Sequence, residues 1–166
     1  RRKEITAILE EESTAISGSQ FAHMLNVSRQ IIVQDIAVLR ASGMNIIATP
    51  QGYILEDTQK KDSFRKTIVT KHSKEDIKDE LIIIVDEGGT VIDVIVEHSV
   101  YGQICGNMMV RSRRDVYDFI NKIEKEDVRP LSDLTDGIHL HTIECRDEES
   151  MMRIEEKLSQ KGYLIR

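Results

Sequence analysis

The chain has 166 residues, 40% hydrophobic and 31% charged, a balance that supplies material for a core and leaves little room for disorder. A formal net charge of −6 argues against a protein that coats nucleic acid through a uniformly basic surface. No apolar run approaches the ~20 residues needed to span a bilayer, and the opening RRKEITAILEEE is charged rather than signal-like, so the expectation is a cytoplasmic protein with no membrane partner.

Charge is unevenly spread. Residues 1–55 hold five Lys or Arg and five Asp or Glu, so the acidic excess lies in the remaining 111 residues. A neutral first third can still approach DNA if its cations point one way. Cys105 and Cys145 stand 40 positions apart with no secretory signal, and read as reduced, half-buried thiols rather than a disulfide.

Ile5, Ile8 and Leu9 give the opening stretch an amphipathic helical pattern that ends at EEES. In SGSQFAHMLNVS, Ser19 is the expected N-cap, Phe21, Ala22 and Leu25 form an apolar face, and Asn26 ends the helix. The next segment, SRQIIVQDIAVLRASG, opens on Ser28 as N-cap and closes at Gly43, with Ile32, Ile36 and Leu39 on one stripe. Turning that stripe inward leaves Arg29, Gln30, Ile31 and Gln34 outside, near the helix start. MNIIATPQGYIL then supplies two short β runs around the TPQG turn.

Helix, helix, turn, helix and hairpin is the order of a winged helix-turn-helix, predicted here over residues 1–57. In that arrangement Ser28 can hold a phosphate and Arg29 a phosphate or guanine. Gln30 and Gln34 can pair with adenine, and Ile31 can meet a thymine methyl. The partner this predicts is operator double-stranded DNA. The segment from Ser17 to Leu55 resembles the winged-helix domain at the N-terminus of many bacterial ligand-responsive repressors.

DTQKKDS, Asp57 to Ser63, reads as a linker, and residues 64–166 as a second domain. Strand patterns in RKTIVTKH, TVIDVIVEHSV, GQICGNMMV, GIHLHTIEC and the closing YLIR alternate with three helical patterns, opened by Ser73, Ser112 and Asp147. The first of these runs to Gly88 and Gly89. The fold class is therefore α+β: a sandwich-type layer in which helices cover one face of a mostly antiparallel sheet.

In GIHLHTIEC, His139 and His141 are two apart on a strand, so both imidazoles project from one face about 7 Å apart at the backbone. Such a pair suits one metal ion. His72 stands where a strand hands over to a helix, and Glu80 lies two turns later on the side of the strand end. Three imidazoles and a carboxylate form a mixed N/O set for a divalent first-row ion: zinc, nickel, iron or manganese.

The stretch from Ile68 to Ile120, with PLSDLTDGIHLHTIE, resembles the three-histidine (3H) domain, which follows a winged helix in niacin-responsive repressors of NAD biosynthesis. The resemblance covers nearly all of residues 64–166. It implies metal ligation by His72, Glu80, His139 and His141, a homodimer, and nicotinic acid as co-repressor at operators of NAD-synthesis or niacin-uptake genes. The remaining histidine of the family pattern falls on His98, which is thereby expected in the ligand pocket. Tyr101, in the same turn, and Arg111, ahead of the helix N-terminus at Ser112, are expected to serve the effector's other end.

Two other functions use the same residues. One is a repressor whose signal is the metal ion itself. The other is a metallohydrolase with Glu97 or Glu144 as base, although no nucleophile motif, phosphate loop or HExxH pattern is present. The reading carried forward is a regulator and not an enzyme.

Overall fold

The computed structural model describes residues 1–56 and 62–166, so residues 57–61 of the expected linker lie outside the described residues. The chain divides into two compact units, Arg1–Lys60 and Lys61–Arg166.

In the first unit, helices α1 (Arg2–Glu11), α2 (Gly18–Met24) and α3 (Arg29–Ala41) precede a hairpin of β1 (Ile46–Thr49) and β2 (Gly52–Leu55). Ile5, Leu9, Phe21, Ile32, Ile36 and Leu39 share one core. Fully burying an aliphatic side chain such as Ile32 contributes roughly 1.5–3 kcal/mol. This packed stripe, rather than the indifferent helix propensity of its β-branched residues, holds α3.

The cap of α2 differs from the expectation. Ser17, not Ser19, accepts the Gln20 N–H at 3.1 Å, and the Gln20 side chain accepts the Ser17 N–H at 2.8 Å, closing a reciprocal capping box. The two satisfied amides outweigh the single cap that Ser19 offers. Asn26, at φ 51°, turns the chain from α2 into α3. The hairpin is tied back to the segment ahead of α2, because Ile16 and Tyr53 exchange both main-chain hydrogen bonds, at 2.9 and 2.8 Å. Gly52 permits this approach: at φ 141°, a Cβ there would run into the Ile16 backbone.

The second unit runs β3 (Phe64–Lys71), α4 (Ile77–Asp86), β4 (Thr90–His98), β5 (Gly102–Val110), α5 (Arg113–Glu126), β6 (Ile138–Cys145), α6 (Glu148–Gln160) and β7 (Leu164–Ile165). Its strands form one sheet in the order β5-β4-β6-β3-β7, antiparallel at every described junction. Leu81 and Ile84 of α4, Val116 of α5, and Met151, Ile154 and Leu158 of α6 pack onto Ile68, Val91, Val110 and Ile143 of the sheet. All three helices therefore serve one face, the α+β arrangement.

The opposite face carries an unusual row. Cys105, Ile95, Leu140, Val69 and Ile165 are successive cross-strand partners, so one apolar rung crosses all five strands. Ile95, Leu140 and Val69 are half-buried, and Cys105 and Ile165 are exposed. An antiparallel sheet with one solvated face ordinarily places polar side chains there.

Three details depart from the sequence reading. The helix expected from Ser73 begins as a 3₁₀ turn, Lys74–Asp76, because the Ser73 hydroxyl donates to the Asp76 carboxylate at 3.3 Å instead of capping a backbone amide. A second 3₁₀ turn, Leu131–Thr135, had no counterpart in the pattern. The two free cysteines are not alike, Cys105 being exposed and Cys145 buried.

Candidate metal centre and DNA-reading helix

The structure brings four residues of the second unit together. His72 follows the last residue of β3, Glu80 lies in the first turn of α4, and His139 and His141 project from β6. Register explains the convergence. Thr70 stands opposite His139 and Ile68 opposite His141, so all four side chains point to the helix-covered face, where α4 presents Glu80. Gly137, at φ 85°, lets the start of β6 close on the His72 main chain, since a Cβ there would strike the His72 carbonyl.

The imidazole orientations are settled by their hydrogen bonds. Nδ1 of His72 lies 2.8 Å from the Ser73 carbonyl, Nδ1 of His139 lies 2.9 Å from that of Gly137, and Nδ1 of His141 lies 2.7 Å from that of Asp93. A carbonyl oxygen only accepts, so each Nδ1 carries a proton and each ring turns its Nε2 inward, as a lone pair in the neutral form and as an N–H in the protonated one. Those three Nε2 atoms stand 2.5, 3.3 and 3.4 Å from one oxygen of Glu80, for His72, His139 and His141 in turn. Thr70, which sequence reasoning missed, adds its hydroxyl 3.0 Å from His139 Nε2. Tyr163, also missed, sets its ring edge-on to His72 at 5.2 Å and donates its hydroxyl to Asp79.

All four of these residues are buried, Glu80 to 1% exposure. Burial alone would raise the Glu80 carboxyl, but the His141 charge and hydrogen bonds from His139, His141 and His72 hold it well below the usual carboxylate range. Burial likewise disfavours charge on His72 and His141, yet the adjacent carboxylate outweighs it and raises both. The second Glu80 oxygen, Oε1, is buried without a hydrogen-bond partner among the described residues. A buried carboxylate facing three imidazole Nε2 atoms is costly unless positive charge sits among them. One ligand atom from each of His72, Glu80 and His139 lies within 4.8 Å of the others, and His141 faces the same Glu80 oxygen. The donor set, the orphaned Oε1 and the carbonyl-anchored imidazoles all fit a divalent first-row ion.

Glu80, His139 and His141 also line a cavity of about 220 Å³. Its walls are apolar, with Ile77, Leu81, Val94, Phe119 and Ile123 facing inward and Val128 to Ser132 closing one side. The cavity is smaller than the roughly 300–1,000 Å³ of drug-sized ligand sites, and its apolar lining with a few polar groups at one end suits a correspondingly small ligand. His98, Tyr101 and Arg111 are not among its lining residues. Nδ1 of His98 accepts the Val100 and Tyr101 N–H groups and so caps the β4–β5 turn, Tyr101 is 77% exposed, and the Arg111 N–H donates to the Asp115 carboxylate. Glu144 points to the other sheet face, where it pairs with Arg65, and Glu97 is exposed and also outside the cavity lining.

In the first unit, the Ser28 hydroxyl accepts the Ile31 N–H at 3.3 Å, starting α3. Opposite its buried stripe, α3 exposes Arg29, Gln30, Val33, Gln34 and Ala37. Ile31 is half-buried, whereas Val33 is 43% exposed and lies between the two glutamines. Val33 is thus an exposed apolar residue near the start of α3, whereas Ile31, expected outside, is only half-exposed. The Arg29 side chain lies against Gly18 at the start of α2.

Known proteins give two family matches, the 3H domain over residues 65–166 and an HTH domain over residues 1–54. The chain is 49% identical over 165 residues to the probable transcription repressor NiaR of Thermotoga maritima, covering 99% of this chain and 93% of that protein. It is 41% identical over 168 residues to the transcription repressor NadR of Bacillus subtilis, covering 100% and 93%. The chain belongs to the 3H-domain family, with a helix-turn-helix domain ahead of its 3H domain.

Proposed function

We propose that this chain is a cytoplasmic transcription repressor that binds operator DNA through α3, takes nicotinic acid as co-repressor, and controls genes of NAD biosynthesis or niacin uptake. Residues 1–57 would read DNA and residues 64–166 would sense the effector. The similarity to two transcription repressors over nearly the full chain supports the repressor reading. The sensing reading is carried by one observation: three imidazoles, each anchored through Nδ1, aim Nε2 at Glu80 in the wall of an apolar cavity. His72, Glu80, His139 and His141 would hold the metal, and His139, His141 and Glu80 are the ones a ligand in the cavity reaches. When bound, zinc, nickel, iron or manganese supplies a Lewis acid for a pyridine nitrogen or a carboxylate. The chain's own part is to keep each Nδ1 protonated, exclude water with apolar walls, and orient a flat ring. Hydrolysis is disfavoured because neither Glu97 nor Glu144 lines the cavity.

Operators with two half-sites call for two copies of α3, hence a homodimer. The apolar rung on the helix-free sheet face is the surface on which we place the second copy, since a two-fold axis makes such a row meet itself. Effector binding then shifts the dimer toward the arrangement that fits both half-sites, with a coupling of about 1–3 kcal/mol, roughly 5- to 150-fold in DNA affinity.

A mobility shift on operator DNA, with and without nicotinate, in metal-replete and chelated buffer, tests this. Enhancement by nicotinate only with metal present supports the proposal. Full binding with metal alone makes the ion the signal, and no binding in any buffer removes the repressor reading.

Within α3, Arg29→Ala is expected to weaken binding to every sequence and flatten its salt dependence, as loss of a phosphate contact does. Val33→Ala should instead cost about 0.8 kcal/mol, roughly fourfold, and only where a thymine methyl is present. Deoxyuridine scanning of the operator checks this: at one position the base change and Val33→Ala must fail to add. Additivity at every position removes Val33 from the base-reading face.

A further inference from the structure

The cavity beside the cluster contains one permanently cationic side chain, Arg129. Arg65, Arg113 and Arg153 each pair with a carboxylate, but among the described residues the Arg129 guanidinium has neither an ion pair nor a hydrogen-bond partner. Arg129 is exposed overall and still lines the cavity, so it stands at the rim with its charge free for whatever enters. Pro130 follows it and caps the 3₁₀ turn Leu131–Thr135, which fixes the local backbone.

We infer that Arg129 receives the carboxylate of the effector and makes the site selective for a small aromatic monoacid over its amide. The inference rests on the nicotinate reading above and adds the residue that chooses the acid. The walls formed by Ile77, Leu81, Val94 and Phe119 suit a single flat ring. A guanidinium presents a planar fork of N–H donors that matches two carboxylate oxygens. A primary amide offers that fork one acceptor and sets its own NH₂ donors against the rest. Losing a charge-assisted pair of this kind weakens binding roughly ten- to hundredfold.

The test is calorimetric titration of the full-length, metal-loaded protein with nicotinate, nicotinamide and benzoate, the last keeping the carboxylate and dropping the ring nitrogen. Wild type is expected to prefer nicotinate to nicotinamide. Arg129→Met should weaken nicotinate and benzoate by about tenfold or more and bring the acid-over-amide ratio toward unity, while Arg129→Lys recovers part of the loss. Metal content, measured on each variant by mass spectrometry, should stay that of wild type, which separates lost carboxylate binding from a collapsed site. Unchanged nicotinate affinity in Arg129→Met overturns the assignment. If wild type binds benzoate but not nicotinate, and Arg129→Met loses benzoate, the carboxylate role stands and the nicotinate reading falls. If wild type binds none of the three, both fall.

Discussion

A His139→Ala protein is expected to lose its metal and, with it, the whole nicotinate-dependent part of operator binding. The substitution removes one inward Nε2 and leaves the Thr70 hydroxyl without the ring it faces. It also leaves Glu80 buried between two imidazoles instead of three. Disturbing a hydrogen-bond partner behind a ligand already costs roughly 10- to 100-fold in metal affinity, so removing a ligand should cost more than 100-fold. Stability reports the same event. An ion that binds only the folded chain at a thousand times its Kd contributes about 4 kcal/mol. For a unit of this size that corresponds to a rise in Tm of roughly 15–30 °C. Differential scanning calorimetry should show that increment for wild type on adding metal and none for His139→Ala. A variant that retains one equivalent of metal, or the increment, contradicts the assignment of His139.

The second large effect is expected from Leu140→Glu. Leu140 is the middle member of the apolar rung, between Ile95 and Val69, and its side chain points away from the cluster formed by its neighbours His139 and His141. A carboxylate there leaves the metal-facing side of β6 untouched but cannot be buried against a second copy without a partner charge. Light scattering should show a monomer where wild type is a dimer. Operator affinity should fall by roughly 100-fold or more, because each recognition helix then binds alone without the high effective concentration of its twin. Metal content serves as the folding control and should not change. A dimeric Leu140→Glu protein with normal operator affinity would show that the second copy packs elsewhere.

What could be read from residues alone followed from local periodicity. His139 and His141 share a face because side chains on a strand alternate, and this held through the register with β3. The stripe of Ile32, Ile36 and Leu39 set the buried side of α3 in the same way, and Arg29, Gln30 and Gln34 lie outside as expected, whereas Ile31 is half-buried and the exposed Val33 was not foreseen. The cap of α2 was available as well, because Ser17 and Gln20 have the spacing of a capping box; choosing Ser19 overlooked the reciprocal bond.

The cavity was not legible. Its walls come from α4, β4, β5, α5 and the segment after it, and no single stretch carries a pattern for a space enclosed by so many elements. Arg111 drew attention because it precedes a helix N-terminus, whereas Arg129 lies in an aperiodic connection and becomes visible only when that connection folds beside Glu80 and the β6 histidines. His98 carries no local sign of its turn-capping role, since accepting two N–H groups depends on the backbone path from β4 to β5. The Thr70 hydroxyl and the Tyr163 ring support the cluster from β3 and from the residue ahead of β7, contacts set by sheet order rather than by neighbouring residues.

The central claim is that His72, Glu80, His139 and His141 jointly grip one cation next to the effector cavity. Diffraction from a nicotinate-soaked crystal of the full chain, with anomalous maps at the first-row metal edges, tests it most directly. The account predicts one peak within about 2.0–2.2 Å of the three Nε2 atoms and a Glu80 oxygen, with ring density in the adjoining cavity. Ring density beside a cluster with no peak, or a peak held by other residues, would contradict it.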